Sequence, residues 1–327
     1  MNSNEFYRTF IEYYDEFFPT DPGVTEFLGS IRENADATGT PDTGSGGALS
    51  TERVSALDLG CGTGGYVRAL RESGIEAWGT DLSPEMIARG IELMGSGTAE
   101  PDLEDGRNRL DPDPTGKPHH PEKAHHPGKG KILSVGDLRS AKAHPEAPFD
   151  LVYSIGNTIA HLSSADEVDE WIGTLPAILY RPHGTVVVQF VDLAHLPVGS
   201  GRELPLLGDG ASEDGESTNG DPRGERHASD TSHRATMRRR YTRVSPERYR
   251  MDATITVTKR GHNGSTGDSR TDQETTVSQT LLVLETHRMI DAFRSAGFKS
   301  VTAYGGFSRE RPVRSDSWVR VIEARLS

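Results

Sequence analysis

A chain of 327 residues has room for one large domain or two small ones. Its net charge of −13 excludes a general nucleic-acid binder, which needs a basic surface against phosphate. The single cysteine, Cys61, excludes an intramolecular disulfide and a thiolate zinc site. Only 33% of the residues are hydrophobic, and 36 glycines with 19 prolines leave a good part of the chain to loops. No apolar run approaches the roughly 18 residues of a transmembrane helix, and no apolar stretch near the N-terminus precedes a cleavage site. These features read as a soluble cytoplasmic protein with no membrane partner.

In chain order, Phe6, Tyr7, Tyr13, Tyr14, Phe17 and Phe18 stand among acids, and residues 1–33 read as a helical cap. Asn34 to Thr51 is rich in Gly, Thr, Ala and Asp. Val54 to Leu59 is a short apolar run suited to a buried strand. Val67 to Glu72 reads as helix, and Ile75 to Thr80 as a second strand closed by Asp81. Gly95 to Gly130 is polar and aperiodic. Lys131 to Val135 is a third strand ending at Gly136-Asp137, Phe149 to Ile155 a fourth, and Asp166 to Tyr180 a helix. Gly184 to Val191 is a fifth strand, apolar enough to be central. Gly208 to Thr236 is another low-complexity run.

Met237 to Val244, Tyr249 to Thr258 and Thr275 to Leu284 then carry β-branched and aromatic residues, with two-residue alternation in Asp252 to Thr258. They predict a three-stranded antiparallel lid, made locally basic by Arg238, Arg239 and Arg240. His287 to Ala296 is an amphipathic helix stopped by Gly297, and Lys299 to Tyr304 and Trp318 to Arg325 are two last strands. The three low-complexity runs cannot bury enough apolar area to offset their ordering entropy, so they are expected to be disordered or poorly ordered. The alternation predicts an α/β fold, a doubly wound parallel sheet with ligands outside the carboxyl ends of its strands. Its core is 52–196 with 285–327, carrying a flexible insert at 95–130. Residues 197–284 form an inserted lid with a disordered loop at 208–236.

The first strand ends in Leu57-Asp-Leu-Gly-Cys-Gly-Thr-Gly-Gly65, and Asp81-Leu-Ser-Pro-Glu-Met86 follows one helix-length later. A dinucleotide site wants Gly-x-Gly-x-x-Gly facing a pyrophosphate. Here Gly60, Gly62 and Gly64 are spaced Gly-x-Gly-x-Gly. That spacing resembles motif I of the class I S-adenosylmethionine (SAM)-dependent methyltransferases, and the run from Asp81 resembles their ribose-binding acidic loop. The resemblance implies a seven-stranded Rossmann-like sheet whose final strand is antiparallel beside the fifth, with SAM as cofactor and S-adenosylhomocysteine as product.

Ser154-Ile-Gly-Asn-Thr-Ile-Ala-His-Leu162 resembles the signature of the glycine/sarcosine N-methyltransferase-like branch. Tyr14-Asp15, Phe27-Leu28, the three-stranded insert and the ending Gly297-Phe298 with Tyr304 to Phe307 match that branch too. The branch's glycine enzymes place a carboxylate-clamping arginine after the fifth strand. Here that run is Val191-Asp-Leu-Ala-His-Leu196, with no arginine before Arg202, which argues against glycine as substrate.

By this resemblance, Asp81 accepts the ribose hydroxyls, with Leu82 and Met86 in the same loop. Gly60, Gly62 and Gly64 admit the methionine portion, Cys61 being a small side chain between them. Asp58 fixes the loop or the methionine ammonium, Asp137 and Leu138 sit beside the adenine, and Ile155 and Gly156 offer carbonyls to the ammonium. Asn157 points toward the transferred methyl, and His161 follows on the same side, where it or the Asn157 carbonyl receives an amine proton. Tyr14, with Tyr7 or Tyr13, closes the site. Plainer roles stand beside these: helix cap for Asp81, fold support for Asp58, turn former for Asp137, cap or interior polar group for Asn157 and His161, and core aromatic for Tyr14.

The resulting expectation is an enzyme that moves a methyl group by in-line displacement to a small molecule, most simply an amine nitrogen. Alternatives are a small-molecule O-methyltransferase and a SAM-binding sensor or assembly protein without turnover. The partner is the small-molecule substrate, with no nucleic acid, and a homo-oligomer stays open. The arginines of the lid suit a lid surface or an acidic small substrate. His119, His120, His125 and His126 lie in an unstructured run and are expected to hold no metal.

Overall fold

The computed structural model describes residues 3–31, 54–95, 131–208, 233–261, 269–314 and 317–327. Most of each low-complexity run falls outside them, as do the four paired histidines. Three short helices open the chain: α1 (Ser3–Arg8), α2 (Tyr14–Phe17) and α3 (Pro22–Gly29). Pro22 takes the first position of α3, where no N–H is needed, and the Asp21 carboxylate accepts the Gly23 N–H at 2.7 Å.

The alternating core follows as β1 (Ser55–Leu59), α4 (Gly65–Glu72), β2 (Glu76–Asp81), α5 (Pro84–Met94), β3 (Leu133–Val135), β4 (Leu151–Ser154), α6 (Ala165–Thr174) and β5 (Thr185–Val191). α6 ends well before Tyr180. Pro176 supplies no N–H to continue an α-helix, and Leu175–Ala177 tightens into a 3-10 turn. The lid comprises β6 (Gly201–Glu203), β7 (His233–Ser245), β8 (Arg248–Gly261) and β9 (Ser269–Leu282). The chain closes with α7 (Thr286–Ser295), β10 (Ser300–Tyr304) and β11 (Val319–Arg325).

The large sheet has the order β10-β11-β5-β4-β1-β2-β3, with β1 to β5 parallel and β11 antiparallel to both of its neighbours. This is the seven-stranded Rossmann-like arrangement expected above, with the last strand antiparallel beside the fifth. The strand order reverses between β1 and β4, so their carboxyl ends splay apart and leave a crevice there. Every residue of β5 is buried, as its apolar run requires, although it lies third in the sheet rather than at the centre.

The lid has four strands rather than the expected three. Gly-Arg-Glu has no alternation to announce a strand, and β6 exists only because Gly201 to Glu203 pair with Thr242 to Arg240. β7 also begins at His233, inside the run expected to be unstructured as far as Thr236. Its ladder with β8 extends back to that residue.

Two polar junctions hold the parts together. Asp192 Oδ2 accepts the Thr286 N–H at 3.0 Å and its hydroxyl at 2.5 Å, closing the lid's exit from the core onto its entry. Arg309 lies over the Phe27 ring at 4.4 Å while donating to Glu323 at 2.9 Å and to Ser30 Oγ at 2.6 Å, so α3 is bound to β11. Among the described residues, no helix is long and apolar enough to cross a membrane.

Candidate active site

Two cavities meet at the carboxyl ends of β1 and β4, sharing Tyr7, Tyr14, Gly60, Ile155, Gly156 and His161 as their common wall. The smaller, about 180 Å³, lies toward β2 and β3. The larger, about 320 Å³, runs under the lid. The crevice made by the sheet order is thus divided into two chambers joined at the glycine loop.

The loop is held from two sides. Thr80 accepts the N–H groups of Gly60 and Cys61 at 2.7 and 3.0 Å. Asp81 accepts the Gly62 N–H on Oδ2 and the Ser83 N–H on Oδ1, each at 2.9 Å. Burial pushes the Asp81 carboxyl up, while these backbone donors pull the other way. The cap of α5 is Ser83, whose Oγ accepts the Met86 N–H at 3.3 Å, so Asp81 is not a helix cap. Each Asp81 oxygen keeps a further lone pair, and the residue lines the smaller cavity with Leu82, Met86, Asp137 and Leu138. Leu82 is 54% exposed at the rim, an apolar surface beside the cavity. Asp137 also serves its own turn, accepting the Arg139 N–H at 2.9 Å. Burial would raise its pKa, but the Arg139 guanidinium outweighs that and holds it below the usual range.

The three glycines do different work. Gly62 has φ +56°, and a Cβ there would meet the Tyr14 hydroxyl at 2.6 Å. The space its bare backbone leaves is therefore taken by Tyr14, which packs directly on the loop. Gly64, at φ +76°, faces Leu133 and reaches neither cavity, so its part is the turn into α4. Gly60 lines both cavities, and Cys61 lines the larger. Burial, with Asp58 and Asp81 nearby, raises the Cys61 thiol well above its usual range, and its sulfur fits where a Gly79 side chain would stand.

Asp58 is 2% exposed at the end of β1. Burial, reinforced by the charge of Asp81, drives its carboxyl well up, while the Tyr153 hydroxyl opposes this. Neither Asp58 Oδ1 nor that hydroxyl makes a hydrogen bond of full geometry among the described residues. Asp58 lines the larger cavity, and a buried carboxylate oxygen is an acceptor that an ammonium there would satisfy.

Asn157 stands at φ +63° and is 8% exposed. Its Oδ1 accepts the Val191 N–H at 3.0 Å, tying the end of β4 to the end of β5. Gln189 Oε1 accepts the N–H groups of Gly156 at 2.7 Å and of Asn157 at 3.0 Å. The first task of the Asn157 carbonyl is thus to fix the floor of the larger cavity. The Ile155 carbonyl likewise accepts the Thr158 hydroxyl at 2.8 Å. His161 ends the 3-10 turn Thr158–His161, with Nε2 at 3.2 Å from the Tyr7 hydroxyl. Burial lowers its pKa to about 4, so it is neutral at physiological pH. Of the tyrosines expected to close the site, Tyr7 and Tyr14 line both cavities and Tyr13 lines neither.

Residues 57–185 match the family model described as "Methyltransferase domain". The chain carries a methyltransferase domain. A comparison with curated proteins finds no match. Solved structures share the fold along nearly the whole chain. An S-adenosylmethionine-dependent methyltransferase from Clostridium acetobutylicum has 12% identity and a TM-score of 0.56, covering 98% of this chain and 99% of its own. The protein DesVI of Streptomyces venezuelae has 16% identity and a TM-score of 0.56, covering 97% and 98%. CalS10 of Micromonospora echinaspora, an amino pentose methyltransferase, has 17% identity and a TM-score of 0.55, covering 96% of both.

The methyl donor of this methyltransferase domain is SAM, and the residues present fit it. Asp81, Leu82, Met86 and Leu138 line the smaller cavity and would offer a carboxylate and an apolar slot to a nucleoside, and Asp58 Oδ1 is a buried oxygen that would accept from an ammonium. When bound, the sulfonium supplies an electrophilic methyl on a good leaving group. The protein's share is to orient the acceptor and exclude water.

The sequence did not place several residues at the site. Gln189 was visible only as the one polar residue between valines and phenylalanine in β5. Arg239 and Gln279 belong to lid strands whose facing depends on register, which a single strand does not fix.

Proposed function

We propose that this methyltransferase acts on an amine nitrogen of a small molecule bound in the larger cavity under the lid. The observation that carries the reading is the chemistry of that chamber at the wall it shares with the donor side. His161 and Tyr7 meet there in a half-buried, hydrogen-bonded pair, with the imidazole neutral. An amine attacks through its lone pair and must arrive unprotonated. Burial away from water disfavours the ammonium form, and neutral hydrogen-bonding groups orient the free amine without returning a proton to it. A hydroxyl acceptor would need a group able to take its proton as the bond forms, and an imidazole held near pKa 4 is a poor one. The size of the cavity, about 320 Å³, favours a small acceptor over a macromolecule.

Likeness in fold does not choose the acceptor, so the test must. Methyl-labelled SAM is incubated with the protein and a low-molecular-weight metabolite extract, with RNA and protein fractions in parallel. Label in one small cationic product supports the reading and gives the acceptor by mass. Label confined to RNA or protein overturns it, and SAM binding with no label anywhere points to a sensor.

A further inference from the structure

Most polar side chains around the larger cavity are committed to the protein itself. At its floor, Gln189 Oε1 and Asn157 Oδ1 both serve backbone N–H groups. Asp15 Oδ1 accepts the Thr63 hydroxyl at 2.6 Å, and Asp21 Oδ1 accepts the Gly23 N–H at 2.7 Å. On the lid, Arg239 and Tyr241 each have a partner, and the Arg239 guanidinium lies 5.8 Å over the Phe18 ring. Gln279 shares a hydrogen bond with the Tyr7 hydroxyl, which also meets His161. Asp58 is the exception, and its oxygen is matched above to the donor's ammonium.

The rest of the wall is apolar, and its two sides differ. The lid contributes Met237 from β7, Met251 from β8 and Leu281 from β9, all buried and all lining the chamber. The ladder sets Met251 opposite Tyr241, so its thioether shares the inward face of the lid. Facing them, the N-terminal cap offers Tyr7, Tyr14 and Phe18, whose rings are only partly buried. Centroids of Tyr7 and Tyr14 lie 6.2 Å apart and those of Tyr14 and Phe18 5.1 Å apart, a continuous aromatic wall. Rings pack well on rings in edge or offset contact, and a flexible thioether adapts to a ring edge.

Resting on the amine reading above, we propose that the acceptor is an arylalkylamine, with neither a carboxylate nor a run of hydroxyls. Its nitrogen sits at the wall shared with the donor side, beside Tyr7 and His161. Its ring extends under the lid, between the aromatic wall of the cap and the thioethers of Met237 and Met251. Each buried hydroxyl of a polyhydroxylated acceptor would need its own partner, and a buried carboxylate would need a cation. The groups able to serve either are the ones already engaged. An alkyl arm between ring and nitrogen keeps the lone pair on nitrogen, where the methyl must arrive.

The full chain, saturated with S-adenosylhomocysteine, is titrated calorimetrically with 2-phenylethylamine, tryptamine, ethylamine, phenylalanine and glucosamine. At least one of the first two should bind roughly 30-fold more tightly than ethylamine, and phenylalanine and glucosamine should bind more weakly than it does. Phe18→Ala should cut arylalkylamine affinity about tenfold and leave ethylamine unchanged. Met251→Ala should shift the preference from 2-phenylethylamine toward the larger tryptamine. S-adenosylhomocysteine affinity should hold in both variants, and if Phe18→Ala fails to fold, Met251→Ala decides. A ring that adds no affinity, phenylalanine or glucosamine binding tightest, a gain indifferent to both variants, or no binding across the panel overturns the inference. Label transferred only to amines without a ring overturns it while leaving N-methylation intact, and failure to bind S-adenosylhomocysteine removes the donor reading instead.

Discussion

The Tyr7 hydroxyl and His161 Nε2 meet at 3.2 Å, joining α1 to the turn after β4 across 154 residues of sequence. The bond fastens the N-terminal cap to the wall between the two cavities. The cap also touches the underside of the lid through β7 and β9. Tyr7→Phe keeps the ring and removes the bond. It should cost about 1 kcal/mol, a roughly fivefold fall in kcat/KM, with melting nearly unchanged. Steady-state kinetics beside a thermal melt separates the two effects.

His161 has a stability signature with a definite sign. Its pKa is about 4 in the folded protein against 6.5 for the free side chain. Between those values the unfolded chain binds a proton that the folded one refuses, so stability falls as the pH drops through this window. His144, also lowered to about 4 by burial, acts in the same direction. His161→Gln should lose less stability than the parent between pH 7 and pH 5, by roughly 2 kcal/mol. Urea unfolding at both values reads this directly.

The same substitution separates two catalytic readings. A histidine neutral above pH 5 contributes equally at pH 6 and pH 9, so the loss of rate in His161→Gln should be the same at both. A loss concentrated near pH 6 would mean that the imidazole titrates there during turnover.

Gln189 holds the N–H groups of Gly156 and of the buried Asn157 with one oxygen. Gln189→Leu preserves volume and orphans one buried donor, so it should destabilise the protein by about 1–3 kcal/mol and impair acceptor binding more than donor binding. Gln189→Glu keeps an acceptor in place and should recover much of the acceptor affinity if it folds. Equal losses in both variants would dissociate the bond from the function.

Gly62→Ala adds a single methyl at φ +56°, where the Tyr14 hydroxyl stands at 2.6 Å. Strain and displacement of Tyr14 should cost on the order of 1–3 kcal/mol and weaken S-adenosylhomocysteine binding at least tenfold. The double variant Gly62→Ala with Tyr14→Phe should regain part of that affinity, because the clashing oxygen is gone. Titration calorimetry of both proteins checks the pair.

Much of the core was legible in sequence because its signals are local. Apolar strands, the Gly-x-Gly-x-Gly turn and a carboxylate at the end of β2 each follow from a few adjacent residues, and together they imply the sheet and the donor side of the crevice. The helix after β4 was read too long, since periodicity alone underweights Pro176. β6 was missed, since three residues without alternation become a strand only when a partner edge is present.

What only the tertiary structure decided is which polar groups meet. The sequence shows three consecutive arginines, and alternation says that they cannot share a face, but the ladder of β7 with β8 is what turns Arg239 alone inward. The sequence shows Asn157 after β4, but the fold places its carbonyl on Val191. Tyr7 and His161 have no relation along the chain until packing brings them together, and loss of water around the ring then sets the imidazole's charge. Backbone conformation is written in neighbouring residues, whereas protonation and partnership depend on solvent exclusion, and that belongs to the assembled fold.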